Sequence, residues 1–173
     1  MRSALILHED LYELFRERVD TAAEHRGRPI SEEGEWYLAD LLADRGTTGQ
    51  EPPPTLAELA LRAARGDPAA AVESLRELGD EALYVSGFQR RALARSRVGL
   101  DYYLEMGALA YERLSRLLRA PSPPGDVEGR ALDAIFEELA RTFDACSDIL
   151  REVQQSLFGG AAGGSLDGAP GGQ

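Results

Sequence analysis

The sequence predicts an all-α fold, a compact antiparallel bundle of five or six helices. Three observations carry that prediction. Apolar residues recur at spacings of three and four through most of the chain, the period of one helix face. The breaks between these stretches are punctuated by glycine and proline, at Gly27–Pro29, at 46–54, at Gly66–Pro68 and at 121–126. Only LYVSGF, residues 83–88, approaches the alternation of a strand, and helical patterns flank it on both sides.

The first helix is expected from about His8 to Arg26, with Leu11, Leu14, Phe15, Val19, Ala22 and Ala23 on one stripe. Gly27 and Pro29 end it. Ser31 is a suitable N-cap for the second helix, and Glu32, Glu33 and Glu35 sit where the helix dipole favours negative charge. Its inward face is Tyr37, Leu38, Leu41 and Leu42, with Trp36 at the edge and Gly46 as the stop. Residues 46–54, GTTGQEPPP, form a loop. Thr55 and Glu58 then make a capping box, in which the hydroxyl bonds forward and the carboxylate reaches back. The short third helix ends at Gly66. Asp67-Pro68 starts a fourth, because proline at the first helical position has no N–H to waste.

The fourth helix carries Ala71, Val72, Leu75, Leu78, Ala82, Leu83 and Val85, and should weaken near Ser86-Gly87. The stretch from Phe88 to Val98 fits a short helix and an irregular turn equally well. A fifth helix is expected over 100–119, burying Tyr103, Gly107, Ala110, Tyr111, Leu114, Leu117 and Leu118. After PSPPGD, Asp126 caps a last, long helix whose stripe runs from Leu132 to Leu157. Residues 1–158 therefore read as one helical domain. Residues 159–173, GGAAGGSLDGAPGGQ, read as a disordered tail, too poor in apolar side chains to offset the entropy of ordering.

The net charge of −11 argues against nucleic acid or an anionic membrane as a partner, since both call for a basic face. One cysteine cannot form an intramolecular disulfide, no run of 18 apolar residues is present, and the apolar patch at 4–7 is too short for a signal peptide. A cytoplasmic location is the expectation.

Motifs for catalysis are missing. Di-iron helical proteins use Glu-x-x-His, but Leu5 and Ala22 stand three residues before His8 and His25. The histidines are too far apart for a His-x-x-x-His zinc pair, and both read as exposed helix residues. Glu77, Asp80 and Glu81 read as a solvated acidic face rather than a magnesium site. Cys146 lies in phase with Phe143, Ile149 and Leu150, beside Asp144 and Asp148, which suits a packed thiol and not a nucleophile. Neither Gly-x-Ser-x-Gly nor a lysine-bearing phosphate loop is present; the chain has no lysine. No catalytic residue, metal or cofactor is expected.

Residue choice exceeds the needs of a helix only over 75–118. Gly79 and Gly107 within helical patterns allow two helices to approach closely. The same stretch admits a small cavity lined by Tyr84, Tyr102 or Tyr103, and Tyr111, with Asp80 or Asp101 as its polar group. Arg90, Arg91, Arg95 and Arg97 form a concentrated positive run, suited to gripping carboxylate or phosphate, or to pairing with acidic turns of neighbouring helices. The candidate ligand set is thus Asp80, Tyr84, Arg91, Arg95, Asp101, Tyr103 and Tyr111.

The blocks YLADLLAD at 37–44, LRELGDEALYVSGF at 75–88 and DYYLEMGALAYERLS at 101–115 resemble a group of uncharacterised bacterial all-helical proteins. The likeness spans most of residues 8–157 and implies one folded unit; it brings no activity, ligand or catalytic residue with it. The expected function is a non-enzymatic helical module acting through a protein partner or homo-oligomer. The alternative is a small-molecule or anion sensor built on the central Tyr/Asp/Arg segment.

Overall fold

The computed structural model describes residues 2–48, 53–119 and 127–159, and among them every regular element is helical. Eight helices are present among the described residues: α1 (Arg2–His25), α2 (Glu32–Thr47), α3 (Leu56–Arg65), α4 (Pro68–Gly87), α5 (Arg90–Leu93), α6 (Leu100–Arg119), α7 (Val127–Arg141) and α8 (Phe143–Phe158). The all-α class is as predicted; the count of five or six is corrected upward. No helix of the described residues is long and apolar enough to cross a membrane.

Two additions account for the difference. The undecided stretch after Phe88 contains the single-turn helix α5. The last predicted helix is two, divided at Thr142, whose φ of −112° and ψ of 23° leave the helical region. Neither glycine nor proline marks that break. The Thr142 hydroxyl donates to the Glu138 carbonyl one turn back at 2.8 Å, a bond known to bend helices, and Phe143 is turned fully inward. The predicted Asp126 cap, the prolines at 121–124, residues 49–52 of the predicted loop and residues 160–173 of the predicted tail lie outside the described residues.

The predicted starts hold where a local cap dictates them. Ser31 Oγ accepts from the Gly34 N–H, Thr55 and Glu58 form the full capping box, and Asp67 accepts from the Ala70 N–H ahead of Pro68. Glycine was a less reliable stop: α2 continues through Gly46 to Thr47, where a Cβ would lie 2.9 Å from Leu11 Cδ1, so this glycine serves the α1–α2 approach. Between these helices the chain turns through left-handed backbone, Gly27 at φ 75° and Arg28 at φ 50°.

Helix α4 is the hub. It packs against α6 most extensively, and also against α3, α8, α5 and α2; α6 carries α7 on its other side, and α1 lies on α2 and α8. A single apolar core runs through these contacts and includes Val19, Leu38, Leu59, Leu83, Tyr111 and Leu150, all essentially inaccessible. Leu14, Leu117 and Leu132, placed on inward stripes by their spacing, are exposed instead.

Candidate functional site

Helix α4 repeats a polar residue every turn along one flank, Arg76, Asp80 and Tyr84, with Glu81 beside them. This flank faces α2, and long side chains span the space between the helices. Arg45 of α2 pairs with Glu81 at 2.6 Å and lies over the Tyr84 ring, 5.3 Å from its centroid. Arg76 lies 3.8 Å from the Asp80 carboxylate and 5.7 Å from the centre of the Tyr37 ring.

The inner end of this seam is a carboxylate between two phenols. Tyr37 of α2 and Tyr111 of α6 both donate to Asp80 Oδ1, at 2.5 and 2.6 Å. The two rings meet edge to face with centroids 6.2 Å apart, and Phe136 of α7 packs against both. Burial raises the Asp80 pKa, while the hydrogen bonds from Tyr111 and Tyr37 and the Arg76 charge pull it back. The phenols move further. Burial, then the Asp80 charge, raises both Tyr37 and Tyr111 well above the usual tyrosine value. Asp80 thus links three helices as a common acceptor.

Space for Tyr111 comes from Gly79. A Cβ there would lie 2.3 Å from Tyr111 Cε1, and one at Gly107 would lie 2.1 Å from Phe143 Cζ. The fourth and fifth predicted helices do pack together, but only Gly79 serves that contact, by receiving the Tyr111 ring; Gly107 instead receives Phe143 of α8. At Gly87 a Cβ would meet α8 itself, 2.6 Å from Leu150 Cβ and 2.7 Å from the Ser147 carbonyl oxygen.

The seven candidate ligand residues occupy different environments. Asp80 and Tyr111 meet in the interior, and Tyr84 sits half-buried one turn further along α4, stacked on Phe88. Tyr103 is also half-buried; burial and then the Glu81 charge raise its pKa. Asp101 is exposed and borders a shallow groove of about 380 Å³ with Leu104, Glu105, Arg141 and Asp144. Arg91 and Arg95 are exposed at α5 and the turn after it, and neither forms an ion pair with a described residue. Arg90 behaves differently from its neighbours. It donates to the Ser86 carbonyl, the Ser147 hydroxyl and Asp148 at 2.8, 3.1 and 3.0 Å, fastening the end of α4 to α8.

Sequence reasoning missed Tyr37, Arg45, Arg76 and Glu81 as members of the seam. Glu81 was assigned to a solvated face, yet it is 6% exposed and neutralised by Arg45. Tyr37 was visible only as a core residue. The recurrence of Arg76, Asp80 and Tyr84 at four-residue spacing was the available signal.

Other polar groups have structural partners. Glu35, 1% exposed, is held by Arg16 and Arg28 at 3.1 and 2.9 Å, which joins α1, the following turn and α2. Glu138 of α7 accepts from the Ser31 N–H and hydroxyl at the start of α2. Cys146 is fully buried beside Thr142, and burial pushes its thiol up to about 12, so it carries no thiolate near neutrality. No buried side-chain nitrogen or oxygen among the described residues lacks a hydrogen-bond partner. Compared with protein-family models, with curated proteins and with solved structures, the chain matches none.

Proposed function

We propose that this chain is a non-enzymatic helical module that works by protein contact, with a second copy of itself as the partner. One observation carries this reading. The polar interior is packed with its hydrogen bonds made, whereas an open apolar groove of about 390 Å³ lies between α3, α4 and α6. Ala63, Ala64, Ala71, Leu75 and Leu117 line it, and small alanines leave room for an incoming helix. Arg113 and Arg116 also border it, Arg116 in an ion pair with Glu112. Arg113, on a chain of net charge −11, is complementary to the acidic remainder of another copy, which is the argument for self-association.

Sedimentation at several protein concentrations tests this. The wild-type chain should form a reversible dimer, and Leu117→Glu should leave it monomeric, since the side chain is 40% exposed and its replacement leaves the core intact. A wild-type monomer at all concentrations overturns the self-association reading. The anion-sensor alternative draws support from Arg91 and Arg95, which are exposed and form no ion pair with a described residue. It would be favoured by a phosphate-dependent rise in melting temperature that the double variant Arg91→Ala/Arg95→Ala abolishes.

A further inference from the structure

Helices α1 and α2 bring His8 beside two carboxylates, Asp40 and Asp44, that lie more than thirty positions away in sequence. His8 Nε2 lies 2.9 Å from Asp44 Oδ1 and 3.6 Å from Asp40 Oδ1. Asp40 and Asp44 are one turn apart on α2, so both project from the same face. One ligand atom from each of the three residues lies within 4.8 Å of the other two. Ligands of a tetrahedral zinc ion at ordinary bond lengths stand about 3.3 Å apart, so modest side-chain rotation brings these atoms into range.

Two further features suit a cation. The first is a fixed backbone: Leu11, one turn along α1 from His8, fills the space over Gly46, two residues beyond Asp44, so the helices are held close beside the cluster. The second is charge. Asp40 is partly buried one turn from the Asp44 carboxylate, with His8 and Arg76 of α4 as the basic groups near it. Arg76 is already engaged with Asp80 and the Tyr37 ring. A divalent ion would neutralise both carboxylates at once. The Asp44 side chain is 62% exposed, which gives solvent and the ion access.

We propose that His8, Asp40 and Asp44 form a divalent transition-metal site, with zinc as its preferred ion and water completing the coordination. An imidazole nitrogen with two carboxylate oxygens suits zinc or manganese, whereas calcium and magnesium favour all-oxygen shells with more ligands. The ion would clip the N-terminal half of α1 to α2. This replaces the expectation of no metal, which rested on spacing within single helices.

The test is equilibrium dialysis of zinc against the full-length, chelator-treated chain, with cobalt(II) absorption as a second readout. The wild type should take up one zinc per chain and give ligand-field bands with cobalt. Both should be lost in His8→Ala and in Asp44→Asn, and both retained in His25→Ala, the control for the surface pair of His25 with Glu152. Circular dichroism without metal checks that the variants remain folded. The absence of saturable zinc uptake by the wild type overturns the proposal, as does uptake that survives in folded His8→Ala. Uptake lost only in His25→Ala overturns it too, by assigning the ion to the other histidine.

Discussion

The two flanks of α4 solve the same packing problem by opposite means. Toward α6 and α8, the helix removes side chains: Gly79 accepts the Tyr111 ring and Gly87 lies against the Ser147 backbone. Toward α2 it extends them, so that Arg76, Asp80, Glu81 and Tyr84 cross a wider gap to Tyr37 and Arg45. The apolar flank depends on shape, and nothing on it can be enlarged without displacement. The polar flank depends on pairing, and removing Arg45 or Asp80 leaves a buried partner unsatisfied. Asp80 belongs to both, since it holds the phenol that Gly79 admits.

The largest expected effect is on the polar flank. Arg45→Ala leaves the Glu81 side chain, 8% exposed, without its cation and should cost about 3 kcal/mol in urea unfolding. The double variant Arg45→Ala/Glu81→Leu should recover most of that loss, because the penalty belongs to the orphaned charge. A loss below about 1 kcal/mol would make the seam no different from a surface ion pair.

Substitutions on the apolar flank come next. Gly79→Ala and Gly107→Ala should each destabilise by about 1–3 kcal/mol through overpacking against Tyr111 and Phe143. That sign runs against the gain of about 1 kcal/mol that alanine brings to a helix interior. Phe143→Leu should partly rescue Gly107→Ala and not Gly79→Ala, since only Gly107 faces that ring. Stabilisation by either alanine in thermal unfolding would remove the distinction between the flanks.

The smallest effect is a pH dependence at the residue the flanks share. Because the folded pKa of Asp80 is raised, chiefly by burial, the folded state holds its proton to higher pH than the unfolded chain. Its stability contribution is fully present below the ordinary value of 3.8 and is lost as pH rises through the folded value. Asp80→Asn should therefore gain on the wild type as pH is raised from below 3.8 toward neutrality, read as urea midpoints across that series. Tyr37 and Tyr111, also raised, act in the same sense above pH 10, where stability is lost as the unfolded phenols ionise. Tyr37→Phe should weaken that alkaline loss.

Much of the fold was legible where a few adjacent residues settle it. Thr55 with Glu58, Asp67 with Pro68, and the apolar stripe of α6 each act over one to three turns, and their outcome does not depend on the rest of the chain. The Thr142 break was not legible, because its cause is a hydroxyl bonding backward and a ring finding space beside Gly107, and neither alters the apolar period. The candidate residues divided in the same way. A carboxylate partner for the central tyrosines was expected because buried phenols require one, but the sequence left Asp80 and Asp101 as equal choices and also read Asp80 as solvated. Tyr37 and Arg45 were missed because their partners lie 43 and 36 positions away.

By itself the sequence determined the helical class, the caps, and the concentration of glycine and tyrosine in the central segment, all consequences of local backbone and side-chain preferences. Tertiary structure alone decided which flank of α4 would be dry and which charged, which acidic residues would be buried, and that His8 would stand beside Asp40 and Asp44. The physical reason is that burial and pairing are properties of distance in space. Helices place residues from remote parts of the chain within a few ångströms, while neighbours in sequence are turned about 100° apart around the helix axis.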